Sequence, residues 1–205
     1  MPATTILSTQ DPNAIPVAFE VLNEGGLIAF PTDTVYGLAA SISQPDAIKK
    51  LFLVKGREWT KAIAVLIGSL EQLSLVTSTL PPGAVDLAAR FWPGALTLIV
   101  PRHPSLPALI SPLPTIGVRM PNHPFALELL HQTGPLATTS ANRSKQTNSH
   151  TAQDVLNQLN GKVDLILDGG ACPGSVPSTV VDCTVPELRV LREGAIPSKD
   201  LFLIK

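Results

Sequence analysis

Apolar and polar positions recur along this chain with two different periods, and the switches between them outline its elements. In "DPNAIPVAFEVLNEGG", residues 11–26, apolar positions return at helical spacing. Asp11 is placed to cap that helix, Pro12 falls in its first turn, and Gly25 and Gly26 end it. "LIAFP", 27–31, follows as a strand. A second helix is predicted over "PDAIKKLFLVKG", 45–56, closed by Gly56. Behind it "AIAVLIG", 62–68, is short, branched and unbroken, the pattern of a strand covered on both faces. Further strands are read at 95–101, 115–121, 136–140, 164–170, 178–184 and 188–193, with helices near 82–91, 123–132 and 151–159. Alternation of this kind implies α/β layering, while "STVVDCTVPELRVLRE" has the spacing of an antiparallel pair around a turn. The expectation is an α/β fold with an open, twisted, mixed β-sheet and flanking helices, whose ligands would gather where strand ends meet loops.

Composition narrows this picture. At 205 residues, with 44% hydrophobic and 15% charged positions, the chain is sized for a single domain over 1–205 with an ample core. A formal net charge of -1 argues against a surface built throughout to hold nucleic acid, so partners should be small or met locally. Cys172 and Cys183 are too few for a zinc site or a disulfide framework, and reduced thiols fit a cytoplasmic protein. No run of about eighteen apolar residues suits a membrane span, and no leader pattern opens the chain, so a soluble protein without membrane contact is expected.

Candidate chemistry sits in six polar clusters at strand edges, because the phosphate loop, the G-x-G-x-x-G turn, H-E-x-x-H and paired C-x-x-C are all missing. In "PTDTVYG", 31–37, hydroxyls surround Asp33 before Gly37 turns the chain; the loop could hold a polar ligand or satisfy its own backbone. In "KGREWTK", 55–61, Lys55 and Arg57 flank Gly56 and, with Lys61, could meet phosphate, or they could face the helix's terminal carbonyls. Arg119 interrupts an apolar strand and needs a carboxylate, from the protein or from a ligand. Arg192 is similarly placed, with Glu187 and Glu193 near enough in sequence for a structural ion pair. Ser140, Asn142, Ser178 and Thr179 offer neutral donors and acceptors suited to a carbamate or an amino acid, and neither serine lies in G-x-S-x-G. His103, His123, His131 and His150 lack matched carboxylates, and a protein-held metal site is not expected.

In this order, "FPTDTVYGL", the Lys-x-Arg of Lys55 and Arg57, "FWPGALTLIV", "GVRMPNHP", the Ser-x-Asn of Ser140 and Asn142, and "STVVDCT" followed by "LREGAI" resemble the YrdC-like family, the threonylcarbamoyl-AMP synthases, across residues 10–197. The resemblance is to the short, single-domain form. It implies a YrdC-like, DHBP synthase-like fold around a positively charged cavity. It also implies a nucleotidyltransferase that condenses L-threonine, bicarbonate and ATP into threonylcarbamoyl-AMP and pyrophosphate. The product would pass to the tRNA-threonylcarbamoyl transferase complex for modification of tRNA. By position, Lys55, Arg57, Ser140 and Asn142 would be catalytic, and with Trp59, Thr115, Asn148 and Arg192 would bind ATP. Thr32, Arg119, Thr138 and Ser178 would hold threonine, Arg119 at its carboxylate, and Mg2+ would arrive on the phosphates. Two departures stand out: Glu58 replaces a proline beside the paired cations and could compete for them. In "SANRSKQTNSH", Lys145, Thr147 and Ser149 replace a glycine and prolines, which predicts a looser loop around Asn148. The rival readings are a YrdC-like module that binds tRNA or double-stranded RNA without this activity, and an adenylate-forming enzyme for another amine or acid.

Overall fold

A computed structural model describes residues 3–174 and 176–202. Ten strands form one mixed sheet: β1 (Thr5–Ser8), β2 (Ile28–Phe30), β3 (Gly37–Ser41), β4 (Ala64–Leu66), β5 (Leu96–Pro101), β6 (Thr115–Arg119), β7 (Leu136–Ser140), β8 (Leu165–Asp168), β9 (Thr179–Asp182) and β10 (Arg189–Arg192). Their order across the sheet is β1-β8-β2-β3-β7-β4-β6-β5-β9-β10, with both parallel and antiparallel neighbours, so the sheet is open and mixed as expected. The helices are α1 (Ala14–Asn23), α2 (Pro45–Lys55), α3 (Pro82–Phe91), α4 (Pro124–Thr133), α5 (Ala152–Leu159) and α6 (Ser198–Leu201). Among the described residues no helix is long and apolar enough to cross a membrane.

Strand side chains point alternately to the two faces, and the two faces are covered differently. On the first, Val65, Leu98, Val118, Ala137 and Val181 pack in one cluster with α2, α3 and α5 residues such as Leu51, Leu87 and Val155. On the second, Ile28, Phe30, Leu165 and Leu167 pack under α1 and α4 with Ala18, Leu22, Ala126 and Leu129. That second cover stops partway. Ala39, Leu136 and Leu66 still belong to its cluster, but Thr97 and Ile99 of β5, Gly117 and Arg119 of β6, and Val180 of β9 face a cavity instead. The half of the sheet that the helices leave bare is therefore the cavity floor.

Several expectations change. The first helix begins at Ala14 behind Asn13, while Asp11 accepts from the Asn13 amide at 2.8 Å in a preceding turn that keeps Pro12 outside the helix. The segment read as a doubly covered strand is only Ala64–Leu66, with Val65 in the core and its neighbours on the cavity. Gly37 does not turn the chain but starts β3, which lies between β2 and β7 in the middle of the sheet.

Candidate active site

The cavity has a volume of about 320 Å³ and is walled by the loop after β2, the loop after α2, the loop after β7, and the segment entering β9. Three guanidiniums line it, those of Arg57, Arg119 and Arg192, and no carboxylate is among its lining residues.

Arg57 is brought there by the end of α2. Gly56 adopts a left-handed conformation, φ +59°, and the amides of Gly56 and Arg57 donate to the carbonyls of Leu53 and Phe52. This closure turns the chain so that Lys55 points back into the protein while Arg57 projects past the helix end. Arg57 donates from Nη2 to the Ala62 carbonyl at 2.6 Å and from Nε to the Lys61 carbonyl at 3.3 Å, and its Nη1 has no hydrogen-bond partner among the described residues. Lys55 is 4% exposed and does not line the cavity. Its Nζ donates to the Ser140 and Asn142 carbonyls at 2.5 and 2.6 Å, so it stands behind the end of β7 and holds it. Burial, followed by repulsion from Arg57, lowers its ammonium to about pKa 7. Lys61 is exposed and pairs with Glu58 at 3.3 Å, while the Glu58 charge also acts on Arg57 and favours its charged form.

Arg119 meets the protein's own carboxylate. Its Nη2 donates to Asp33 Oδ1 at 2.5 Å, Nη1 to Thr34 Oγ1 at 2.9 Å, and Nε to the Gly94 carbonyl at 3.0 Å. A guanidinium carries five N–H donors, so two remain. Thr32 donates to the Val35 carbonyl at 2.7 Å and accepts from the Thr34 amide, the self-satisfied turn that was one of the two readings of this loop. Arg192 makes no ion pair with Glu187 or Glu193 among the described residues. Its Nε and Nη2 donate to the Ser178 carbonyl at 3.1 and 2.8 Å, and Nη2 also reaches Ser178 Oγ at 3.2 Å. Burial comes first in holding all three guanidiniums below their ordinary pKa, and Arg192 adds repulsion at both Arg57 and Arg119.

Thr32, Thr138, Ser140, Asn148 and Ser178 line the same cavity. Asn142, Trp59 and Thr115 do not. Asn142 is buried and its Nδ2 donates to the Arg143 and Gln146 carbonyls. Trp59 is half-exposed and stacks on Phe52 with ring centroids 4.7 Å apart. Thr115 begins β6 opposite Pro101, on the face of Gly117 and Arg119 but at the far end of the strand. The loop of 143–150 is tied at both ends: Ser149 is fully buried and donates to the Ala141 carbonyl at 2.7 Å, Gln158 holds Thr147, and a Thr151–Asp154 capping box anchors the exit. That bonding replaces the looseness expected of a loop without its prolines.

Sequence reasoning passed over Thr97, and although it noted the Thr34 hydroxyl and allowed Arg119 a carboxylate from the protein, it did not identify Asp33 as that partner. Thr97 carries the same signal that exposed Arg119, a polar residue within an apolar strand, whereas Asp33 and Arg119 lie 86 positions apart and no local pattern links them. Among the described residues no group of three or more His, Cys, Asp or Glu could hold a metal ion. The cavity donors are cations and hydroxyls, which suit the oxygens around a metal rather than the metal itself.

The profile of the Sua5/YciO/YrdC family, described as telomere recombination, matches residues 20–194. The threonylcarbamoyl-AMP synthase of Bacillus subtilis is 41% identical over 97% of this chain and 58% of its own length. A crystal structure of Pyrococcus abyssi Sua5 complexed with L-threonine is 40% identical, superposes with a TM-score of 0.88, and is covered over 56% of its length by 91% of this chain. The Escherichia coli YciO structure, 28% identical, superposes with a TM-score of 0.86 over 99% of this chain and all of its own. The chain thus spans little more than half the length of the first two.

Proposed function

Because the chain belongs to the Sua5/YciO/YrdC family, we propose that it is a threonylcarbamoyl-AMP synthase, an adenylyl-transferring enzyme that joins L-threonine, bicarbonate-derived CO2 and ATP. The observation that carries this reading is the convergence of Arg57, Arg119 and Arg192 with Thr32, Ser140 and Ser178 on one cavity that no carboxylate lines. An anionic nucleotide and an amino acid are what such an electropositive hollow would gather. The relatives named above support it, one by its name and one by the threonine in its title.

In this reading the amine of threonine adds to CO2 to give a carbamate and releases a proton. A carbamate oxygen then attacks the α-phosphorus of ATP; the new P–O bond forms as the bond to pyrophosphate breaks. Arg119 turns its two remaining donors to the threonine carboxylate and shares that charge with Asp33, while Ser178 and Thr32 add hydroxyl contacts and Thr138 lies on the floor beside them. Arg57 and Arg192 spread the charge that accumulates on pyrophosphate, and Ser140 and Asn148 meet the nucleotide. Lys55 and Asn142 act from behind by keeping Ser140 and the 143–150 loop in place. Trp59 and Thr115 would reach the nucleotide only at its outer end. Mg2+, held by the phosphates, would lower their repulsion toward the carbamate. Catalysis is then positioning plus charge stabilisation, without a side-chain nucleophile.

The test is release of pyrophosphate by the purified chain in reactions lacking ATP, L-threonine or bicarbonate in turn. Release only from the complete mixture is expected. Release without threonine would replace this reading with an adenylate-forming enzyme for another amine or acid, and none at all together with ATP-independent, salt-sensitive binding of duplex RNA would replace it with the RNA-binding one. A cytoplasmic location and delivery of the product to a tRNA-modifying transferase complex follow from the same proposal.

A further inference from the structure

Thr97 stands out in β5, "LTLIVP", where Leu96, Leu98 and Val100 enter the core and Thr97 faces the cavity at 6% exposure. Both branches of its side chain have defined surroundings. The methyl lies 3.1 Å from where a Cβ on Gly117 would sit, so it is directed toward β6. The hydroxyl Oγ1 is 2.8 Å from Ser178 Oγ, on the side of β9. Ser178 is 5% exposed and already accepts from Arg192 Nη2 at 3.2 Å. On the other side, Leu98 pairs with Val118 in antiparallel register, so Thr97 and Arg119, the residues just outside that pair, stand at neighbouring positions on one face. Thr97 therefore touches Ser178 and stands at the sheet position next to Arg119, two of the residues given to threonine in the functional reading, on which this inference rests.

A hydroxyl has one proton and two lone pairs. Arg192 fills one lone pair of Ser178 Oγ, and the 2.8 Å contact uses one of the two hydroxyl protons. The other proton has no acceptor among the described residues, and both side chains line the cavity. Which way a lone serine hydroxyl points is set by its torsion alone; a second hydroxyl at hydrogen-bond distance removes that freedom. We propose that Thr97 is a positioning residue for the amino-acid substrate: it orients the hydroxyl of Ser178 so that the pair presents one O–H donor beside the Arg119 guanidinium.

Calorimetric titration of L-threonine into the wild-type chain, Thr97→Val and Thr97→Ser tests this, alongside steady-state pyrophosphate release. Thr97→Val keeps the shape and removes the hydroxyl; its Kd and KM for threonine should rise about tenfold while KM for ATP stays within about twofold. Thr97→Ser should restore threonine binding to within about threefold of wild type. In a Ser178→Ala background, Thr97→Val should add no further loss, and Thr97→Ala carries the same test should valine not be accommodated. Wild-type affinity in Thr97→Val, or parallel loss of threonine and ATP that serine does not rescue, would overturn the inference alone. A wild-type chain that binds no threonine would overturn the functional reading and this inference with it.

Discussion

Lys145 occupies φ +68°, a left-handed conformation in which a side chain is strained. The chain keeps the turn and accepts the strain, held by the Asn142 bonds to Arg143 and Gln146 on either side. Lys145→Gly should raise unfolding free energy by roughly 1 kcal/mol, read as a higher urea midpoint at unchanged slope. Lys55 makes a prediction of the opposite kind. Its folded pKa of about 7 lies below the ordinary 10.5, so between those values the unfolded state binds more protons and stability rises with pH. Urea midpoints at pH 7 and 9 should therefore diverge more in the wild type than in Lys55→Met, and equal divergence would show that Lys55 stays charged when folded. At this scale Arg119 was visible in the sequence as a lone cation in an apolar strand. Its partner was not, because a contact spanning 86 positions depends on the strand order and not on spacing.

Among elements, helices were more legible than strands. α2 shows why: an apolar stripe, a proline at the start and Gly56 at the end all agree, and the same glycine sends Arg57 into the cavity. β3 shows the opposite. "GLAAS" has low strand propensity and opens with glycine, yet it forms a central strand because β2 and β7 pair with both its edges and both faces are buried. β1 was overlooked for a related reason, since four residues that pair only with β8 carry little pattern of their own. Gly117 gives β6 a bare patch of floor between Thr97, Ile99 and Ala64. Gly117→Val would bring its Cβ to 3.1 Å from the Thr97 methyl and carry two methyls onto that floor, so kcat/KM should fall at least tenfold while thermal unfolding drops by about 5 °C as Thr97 and Ile99 give way. Retained turnover would place the substrates elsewhere.

For the molecule as a whole, the decisive feature is the unequal cover of the sheet. α2, α3 and α5 close one face, α1 and α4 close only part of the other, and the uncovered strands carry the polar exceptions, Thr97, Arg119 and Thr138. Mixed layering and candidate residues were legible from period and motif; where the cover stops was not, because it follows from strand order. Alternation along the strands supplies the control for the most direct test. In methyl-labelled protein, addition of L-threonine and ATP should shift the resonances of Leu66, Ile99 and Val180, which face the cavity, and leave those of Val65, Leu98 and Val181, their neighbours on the covered face, nearly unmoved. Shifts confined to the covered face, or none at saturating ligand, would contradict the account.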